Sequence, residues 1–150
     1  MPKFERGNMW NAFHDTDAFC ITTNSYIRND GELVMGRGIA KVAKQIFDDL
    51  PKAFGEKIDH LETYGLMPSN RSEIDKFVAF QVKTHFRNQA DLDLIGKSAG
   101  GLLQMAKKYS DKRFDLNFPG IGNGGRKQDE VMPIIEDLPK NVHVWRFRNE

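Results

Sequence analysis

Lys83 and Asn24 are the side chains whose positions suggest chemistry most directly, because each follows an apolar run that predicts a buried strand. The amide of Asn24 can orient a sugar hydroxyl, or it can simply cap a turn. The amine of Lys83 can neutralise a phosphate or, where it is partly desolvated, attack an anomeric carbon. Most lysines at strand ends are solvated, so the sequence leaves both alternatives open.

Two glycine loops provide the second chemical signal. Gly36-Arg37-Gly38 precedes one predicted helix, and Gly120-Ile121-Gly122-Asn123-Gly124-Gly125 precedes another. Backbone N–H groups at such positions can hold a diphosphate from two sides, although either loop alone can be a structural turn. The G-x-G-x-x-G in the second loop lacks the acidic residue about 20 positions later that a dinucleotide-binding fold requires.

Other candidate residues have weaker signals. His85 can act as an acid or base, but a histidine just beyond a strand is usually a surface residue. Trp145 and Phe147 alternate along a predicted strand, which suits sheet packing or the stacking of an adenine. The four histidines and Cys20 show no metal-ligand spacing, so no metal site is expected, and Cys20 is predicted to be a buried thiol.

These residues need elements that bring them together. Apolar runs predict strands at 3–6, 18–23, 77–82, 114–118 and 142–147, and helical periodicity predicts helices at 39–50, 52–64, 92–109 and 129–138. Pro51 is expected to end the first helix, Gly65 to cap the second, Asp91 to cap the third, and 67–72 to form a loop. The order predicts an α/β fold with a mostly parallel sheet, in which Asn24, Lys83 and the second loop share one rim.

Bulk properties narrow the classes of protein. A chain of 150 residues predicts one domain, and a net charge of +1 from 22 basic and 21 acidic residues does not favour nucleic acid or membrane surfaces. No signal-peptide core and no run of about 18 apolar residues is present, which makes the cytoplasm the expected location. A monomer is the default expectation.

Together these motifs resemble the two ligand loops of a macro domain. The resemblance depends on Asn24, the stretch 34–40 and the stretch 118–125, and it is closest to the branch that contains terminal ADP-ribose glycohydrolases and ADP-ribose 1″-phosphate phosphatases, including small phage-encoded and bacterial forms. It implies a three-layer α/β/α fold with a mixed, mostly parallel sheet that binds ADP-ribose without a cofactor. The implied ligand-binding residues are Asn8, Met9, Asn24, Gly36, Arg37, Gly38, Ile39, Ala40, Pro119, Gly120, Ile121, Gly122, Asn123, Gly124, Trp145 and Phe147.

The same resemblance makes Lys83 the nucleophile at the distal ribose and Asn24 the residue that orients this sugar. The family's loop aspartate is replaced by Gly124, its adenine-binding aspartate by Asn8, and a small residue by Arg37. His85, Asp129 or Asp91 would then supply the acid or base. The expected function is removal of a 1″-linked phosphate or ester-linked group, with nucleic acid only as a modified substrate. The alternative is a non-catalytic binder of ADP-ribose or of a cyclic relative.

Overall fold

The computed structural model describes residues 1–59, 64–69 and 76–147. Six strands and four helices lie within these described ranges. The strands are β1 (Lys3–Arg6), β2 (Ala18–Thr23), β3 (Leu66–Pro68), β4 (Phe77–Gln81), β5 (Phe114–Asn117) and β6 (Val142–Arg146). The helices are α1 (Gly38–Ile46), α2 (Leu50–Asp59), α3 (Leu92–Lys108) and α4 (Gln128–Ile135), and short 3₁₀ turns lie at Met9–Ala12 and Gly122–Gly124.

The strands form one sheet in the order β1-β6-β5-β2-β4-β3. Every described pair is parallel except β3 with β4, which is antiparallel. Alternate strand residues point to opposite faces, so Cys20 and Phe80 pack with α3 and α4, whereas Phe19 and Phe77 pack with α1 and α2. The predicted three-layer α/β/α arrangement with a mixed, mostly parallel sheet is therefore confirmed.

The predicted boundary between the first two helices is wrong. Helix α1 ends at Ile46, four residues earlier than expected, and Pro51 lies in the first turn of α2. Proline is tolerated there because the first helical N–H groups have no partner within the helix. Gly65 does not form the predicted left-handed cap, since its φ is +150° and its N–H donates to Oε1 of Gln81. Tyr64, the predicted last residue of that helix, is not helical, and residues 60–63, which include Leu61, lie outside the described residues.

The segment predicted as a loop after Gly65 contains a short strand. Met67 and Pro68 belong to β3, which pairs with Ala79 and Val78 of β4. Pro68 lacks a backbone donor and is accommodated because β3 lies at the edge of the sheet. The rest of that predicted loop, 70–72, lies outside the described residues.

Helix α3 agrees closely with the sequence pattern. It begins after Asp91, whose side chain accepts hydrogen bonds from the backbone N–H groups of Asp93 and Leu94 at 2.9 and 3.3 Å. This contact satisfies two of the otherwise unpaired donors at the helix start. Asp91 therefore acts as the helix cap. Among the described residues, no helix combines the length and the apolar composition that a membrane crossing requires.

Candidate functional site

A cavity of about 510 Å³ opens at the carboxyl ends of β2, β4 and β5. Ligands of open parallel sheets commonly bind at this edge, where successive connections leave on opposite faces. Here β2 leads to α1 and β5 leads to α4, on opposite sides of the sheet. The residues lining the cavity are Thr22, Thr23, Asn24, Val34, Met35, Gly36, Arg37, Gly38, Ile39, Ala40, Val82, Lys83, Phe86, Asn117, Phe118, Gly120, Ile121, Gly122, Asn123, Gly124 and Phe147.

The cavity floor begins where β2 and β5 separate. Their paired register runs from Ala18 to Cys20 and stops before Thr22 and Asn117. There the side chain of Asn117 replaces the backbone pairing: its Oδ1 accepts from the N–H of Thr22 at 3.0 Å, and its Nδ2 donates to Oγ1 of Thr22 at 2.8 Å. The amide therefore closes the gap between two diverging strands and fixes the floor.

Asn24 anchors the long connection that forms the first wall. Its Nδ2 donates to the carbonyl of Val34 at 2.9 Å, and its Oδ1 accepts from the N–H of Tyr26 at 3.0 Å. The side chain is 8% exposed, so the amide holds both ends of the connection in place. Asn24 is thus a turn cap, and each amide atom retains capacity for one further hydrogen bond.

The same connection is fastened to helix α2. The N–H of Leu33 donates to the carbonyl of Pro51 at 2.9 Å. Gly31 has a φ of +86° and lies so close to Gly55 that a Cβ at Gly55 would be 1.9 Å from the Gly31 carbonyl oxygen. Helix α2 therefore holds the far end of the connection at 24–35 in place, and this end forms part of the cavity wall.

The start of α1 presents backbone donors to the cavity. Gly38 has a φ of +61°, a conformation that glycine adopts without steric cost. The unpaired N–H groups of the first helical turn then suit an anion. Arg37 precedes the helix in an extended conformation, and its side chain makes no hydrogen bond or ion pair with any described residue.

The second glycine loop faces the first across the cavity. Gly120, with a φ of +82°, packs so tightly that a Cβ would lie 2.7 Å from Cδ1 of Ile95. Its neighbours form the 3₁₀ turn Gly122–Gly124, which the sequence pattern did not predict. A Cβ at Gly38 would lie 3.5 Å from Nδ2 of Asn123, so the two loops approach each other closely.

Lys83 lies at the end of β4, between the two loops. Its Nζ donates to the carbonyl of Asn88 at 3.2 Å. Partial burial lowers the pKa of Lys83, and the nearby positive charge of Arg37 lowers it further. Since both effects disfavour the ammonium form, the site increases the fraction of unprotonated amine.

The segment that follows Lys83 contacts both walls. The hydroxyl of Ser25 donates to the Lys83 carbonyl at 3.1 Å, and the N–H of Ala90 donates to the carbonyl of Gly124 at 2.8 Å. Lys83 therefore begins a segment, 83–90, that is hydrogen bonded to the connection at 24–35 at one end and to the second glycine loop at the other.

Several residues implied by the resemblance lie outside the cavity lining. Trp145 donates its indole N–H to Oδ1 of buried Asp115 at 2.8 Å, whereas Phe147 lines the cavity. Asn8 caps the first 3₁₀ turn by accepting from the N–H of Trp10. Met9 is fully buried in the core, and Pro119 is buried beside the second loop without lining the cavity. Of the two aromatic candidates for stacking, only Phe147 is therefore in a position to contact a ligand in this cavity.

The acid and base candidates do not line the cavity either. The ring of His85 stacks on Phe86 at 4.3 Å, and its Nδ1 accepts from the N–H of Arg87 at 3.1 Å. Asp129 is an exposed residue in the first turn of α4, and Asp91 caps α3. Among the described residues no aspartate, glutamate or histidine lines the cavity, so its titratable groups there are Lys83 and Arg37.

Sequence reasoning missed several lining residues, including Thr22, Phe86 and Asn117. Asn117 is the clearest omission, because it ends the predicted strand 114–118 much as Asn24 follows the strand 18–23. A search for amide side chains at every strand end would have found it. Phe86 follows Lys83 by three residues, and its position depends on the turn at 84–88, which no local pattern specifies.

Cys20 and the described histidines, which are His14, His85 and His143, form no cluster of three potential metal ligands with one another or with described carboxylates. Burial raises the pKa of the Cys20 thiol, and the charge of Asp115 adds to this effect. A thiol held protonated in the core is a poor nucleophile and a poor metal ligand. Within the described residues, no three histidine, cysteine, aspartate or glutamate side chains cluster closely enough to hold a metal ion.

Comparisons with solved structures agree with one another on the fold of this chain. No protein-family model and no curated protein sequence matches the chain. Among solved structures, the macrodomain of Thermus aquaticus DarG matches with 22% identity and a TM-score of 0.71 over 99% of this chain and 98% of that chain. The macrodomain of Mycobacterium tuberculosis DarG matches with 22% identity and a TM-score of 0.72 over 97% of each chain.

A third structure contains a bound ligand. Thermosipho africanus DarTG in complex with ADP-ribose has 20% identity and a TM-score of 0.76; the match covers 99% of this chain and 42% of that chain. Identities at this level establish architecture alone. The cavity at the carboxyl edge of the sheet, its two facing glycine loops and these three matches lead to one conclusion: the chain has the macrodomain fold.

Proposed function

We propose that the chain binds ADP-ribose in this cavity and hydrolyses the bond between the 1″ carbon of the distal ribose and a phosphate or an ester-linked group. The observation that carries the proposal is the position of Lys83, partly buried beside Arg37 between two facing glycine loops. A cavity that lowers the pKa of an amine next to two anion-binding loops suits a nucleophile acting on a phosphorylated sugar.

The proposed binding mode follows from the backbone of the two loops. The diphosphate lies between the first turn of α1 and the loop at 120–124, where backbone N–H groups and the helix dipole stabilise negative charge. The distal ribose lies between Asn24 and Lys83, and the adenine lies toward Phe147. The ADP-ribose complex of Thermosipho africanus DarTG, which shares the fold, supports this choice of ligand.

The proposed reaction uses the lone pair of the Lys83 amine. Nζ forms a bond to the 1″ carbon while the bond from that carbon to the leaving oxygen breaks, and the electron pair departs with the phosphate or carboxylate. The adduct keeps the proton of the new ammonium, so its nitrogen needs no protein acid to depart. Water then forms a bond to the 1″ carbon while the carbon–nitrogen bond breaks and returns its electron pair to Nζ, and the surplus proton of that water passes to solvent, which releases ADP-ribose with a free 1″ hydroxyl.

Substitution of Lys83 tests this mechanism. We expect Lys83→Ala and Lys83→Arg to reduce hydrolysis of ADP-ribose 1″-phosphate by at least about a hundredfold, since neither supplies a nucleophilic amine. Calorimetry should show ADP-ribose affinity within about threefold of wild type, because the backbone loops remain. Lys107→Ala, an exposed lysine at the end of α3, is the matched control.

A non-catalytic ADP-ribose binder is the second candidate. The lack of any described carboxylate or histidine on the cavity wall favours it, because a protein acid or base usually assists glycosidic hydrolysis. Tight ADP-ribose binding by the wild type, without turnover of phosphate-linked, glutamyl-linked or nucleic-acid-linked ADP-ribose, would select this candidate. Unchanged turnover in Lys83→Ala would show that the proposed nucleophile is wrong.

A further inference from the structure

Arg37 is a second cation in the cavity, and the hydrolysis mechanism gives its guanidinium no contact with the substrate. Its guanidinium is exposed and makes no hydrogen bond or ion pair with any residue in the described part of the chain. It lies between Gly36 and Gly38, neither of which has a side chain that could hold it. A planar donor with five N–H groups is therefore available to a ligand.

The charges of the cavity are unbalanced. Lys83 and Arg37 both line it, and no described aspartate or glutamate does. Elsewhere in the described residues, Arg113 pairs with Asp115 at 3.0 Å and Arg126 pairs with Glu130 at 3.3 Å. The positive charge at Arg37 is therefore available to an anionic ligand.

The diphosphate contacts of the proposed binding mode do not depend on the side chain of Arg37. The diphosphate in the proposed binding mode is held by backbone N–H groups of both loops, which need no side chain at this position. Arg37 is near enough to Lys83 for its charge to lower the pKa of that amine. Since Lys83 is assigned to the 1″ carbon and both side chains line one cavity, the guanidinium is available to a group attached at that carbon.

We propose that Arg37 is a specificity-determining residue that binds an anionic group attached to the 1″ carbon, with phosphate as the best fit. This inference rests on the proposed function. A guanidinium can donate two parallel hydrogen bonds to a phosphate or carboxylate, which gives geometric selectivity as well as charge compensation. The site then prefers acidic leaving groups over neutral ones.

The absence of a proton donor on the described wall gives this preference a chemical basis. A phosphate or carboxylate departs as an anion that the Arg37 guanidinium can stabilise, so it needs no proton. A sugar linked to an amine nitrogen, a nucleobase nitrogen or an alkyl oxygen needs protonation as it departs. No described carboxylic acid or histidine lines the cavity to provide it.

A second cavity of about 340 Å³ adjoins this position. It shares Val34, Met35, Gly36 and Phe86 with the first cavity. Its wall also carries Arg28 and Lys44, and among the described residues no carboxylate lines it. Arg28 pairs with Asp30 at 3.7 Å, so Lys44 is the charge that this neighbouring space offers to the remainder of an anionic leaving group.

Calorimetric titration with two ligands tests the assignment when it is carried out in the Lys83→Ala background, where hydrolysis of the phosphate ligand is expected to be lost. Protein with Arg37 intact is expected to bind ADP-ribose 1″-phosphate at least about tenfold more tightly than ADP-ribose. Arg37→Ala should remove this preference while ADP-ribose affinity stays within about threefold. Arg37→Lys should keep part of it, because the charge remains without the paired donors.

Lys41→Ala is the matched control, since Lys41 lies on the exposed face of α1 one turn beyond Arg37 and does not line the cavity. It should retain the wild-type preference. Equal affinities for the two ligands in Lys83→Ala protein that retains Arg37 would overturn the inference, as would an equal loss for both ligands when Arg37→Ala is added, which would place the guanidinium on the diphosphate. If the wild type binds neither ligand, the ADP-ribose proposal itself fails.

Discussion

The protonation state of Lys83 connects the geometry of the cavity with its proposed chemistry. Burial and Arg37 both lower the pKa of Lys83, so the amine loses its proton at a lower pH than a free lysine, whose pKa is about 10.4. If this amine is the nucleophile, kcat/KM for ADP-ribose 1″-phosphate should rise with pH through that pKa. Arg37→Ala removes a positive charge near Lys83 and should therefore raise the pKa of Lys83. The rising limb of the kcat/KM profile should then move to higher pH.

The pH profile of kcat/KM is the informative measurement, because it reports the pKa values of essential groups in the free enzyme. Lys41→Ala should keep the wild-type profile and so control for a general loss of positive charge on α1. A rising limb at the same pH in wild type and Arg37→Ala would exclude the charge effect. A rate that falls with pH over this range would exclude the amine as the attacking group.

Sequence patterns located the residues of the cavity better than they identified the roles of those residues. Asn24, Lys83 and the second loop were predicted at one rim because parallel strand ends share an edge, and all three line the cavity. The position of Trp145 could not be foreseen. Its indole donates to Asp115 of the adjacent strand, a fully buried carboxylate that also accepts from Arg113, and this group of contacts exists only after the sheet has formed.

At the scale of elements, the contact between helix α2 and the connection at 24–35 sets the cavity wall. Gly55 lies in α2, where alanine would favour the helix by about 1 kcal/mol. A Cβ there would nevertheless lie 1.9 Å from the carbonyl oxygen of Gly31. We therefore expect Gly55→Ala to lower the free energy of unfolding by about 2 kcal/mol, because the connection or the helix must move.

Gly100→Ala provides the matched control for this prediction. Gly100 lies in α3, and a Cβ there would meet no atom within 4 Å outside its own helix. This variant should gain up to about 1 kcal/mol, so the two substitutions should change urea stability in opposite directions. Stabilisation by both would show that α2 and the connection are less closely packed than described.

The break between α1 and α2 shows what periodicity cannot decide. Apolar spacing continues from Ile39 to Leu50, which predicts one helix, yet α1 ends at Ile46. Leu50 is fully buried, but it belongs to the next helix, which starts there. The same spacing suits one long helix or two short ones, and packing against the sheet selects between them.

At the scale of the whole molecule, a nearly neutral chain contains a cavity whose described wall carries only positive charges. The net charge is +1, whereas the described cavity wall carries Lys83 and Arg37 without a carboxylate. Raising the salt concentration from about 0.05 M to 0.5 M should weaken ADP-ribose binding by about threefold to tenfold, because screening reduces this local attraction. Calorimetry at several sodium chloride concentrations measures the effect.

The double variant Lys83→Ala with Arg37→Ala should lose most of this salt dependence, whereas Lys107→Ala should keep it. Affinity that is independent of salt in the wild type would show that backbone dipoles alone hold the ligand. The near-neutral composition did not predict this local field. It arises because residues 46 positions apart in the sequence meet at one edge of the sheet.

The two outer strands of the sheet have a consequence for self-association. Strand β3 has three residues and contains Pro68, which offers no N–H to an incoming strand, and β1 is Lys3-Phe4-Glu5-Arg6, in which three of four side chains are charged. Short, charged or proline-containing edges resist the strand addition that begins aggregation. The margins of the sheet therefore protect a protein whose small net charge would provide little mutual repulsion between copies in a concentrated solution.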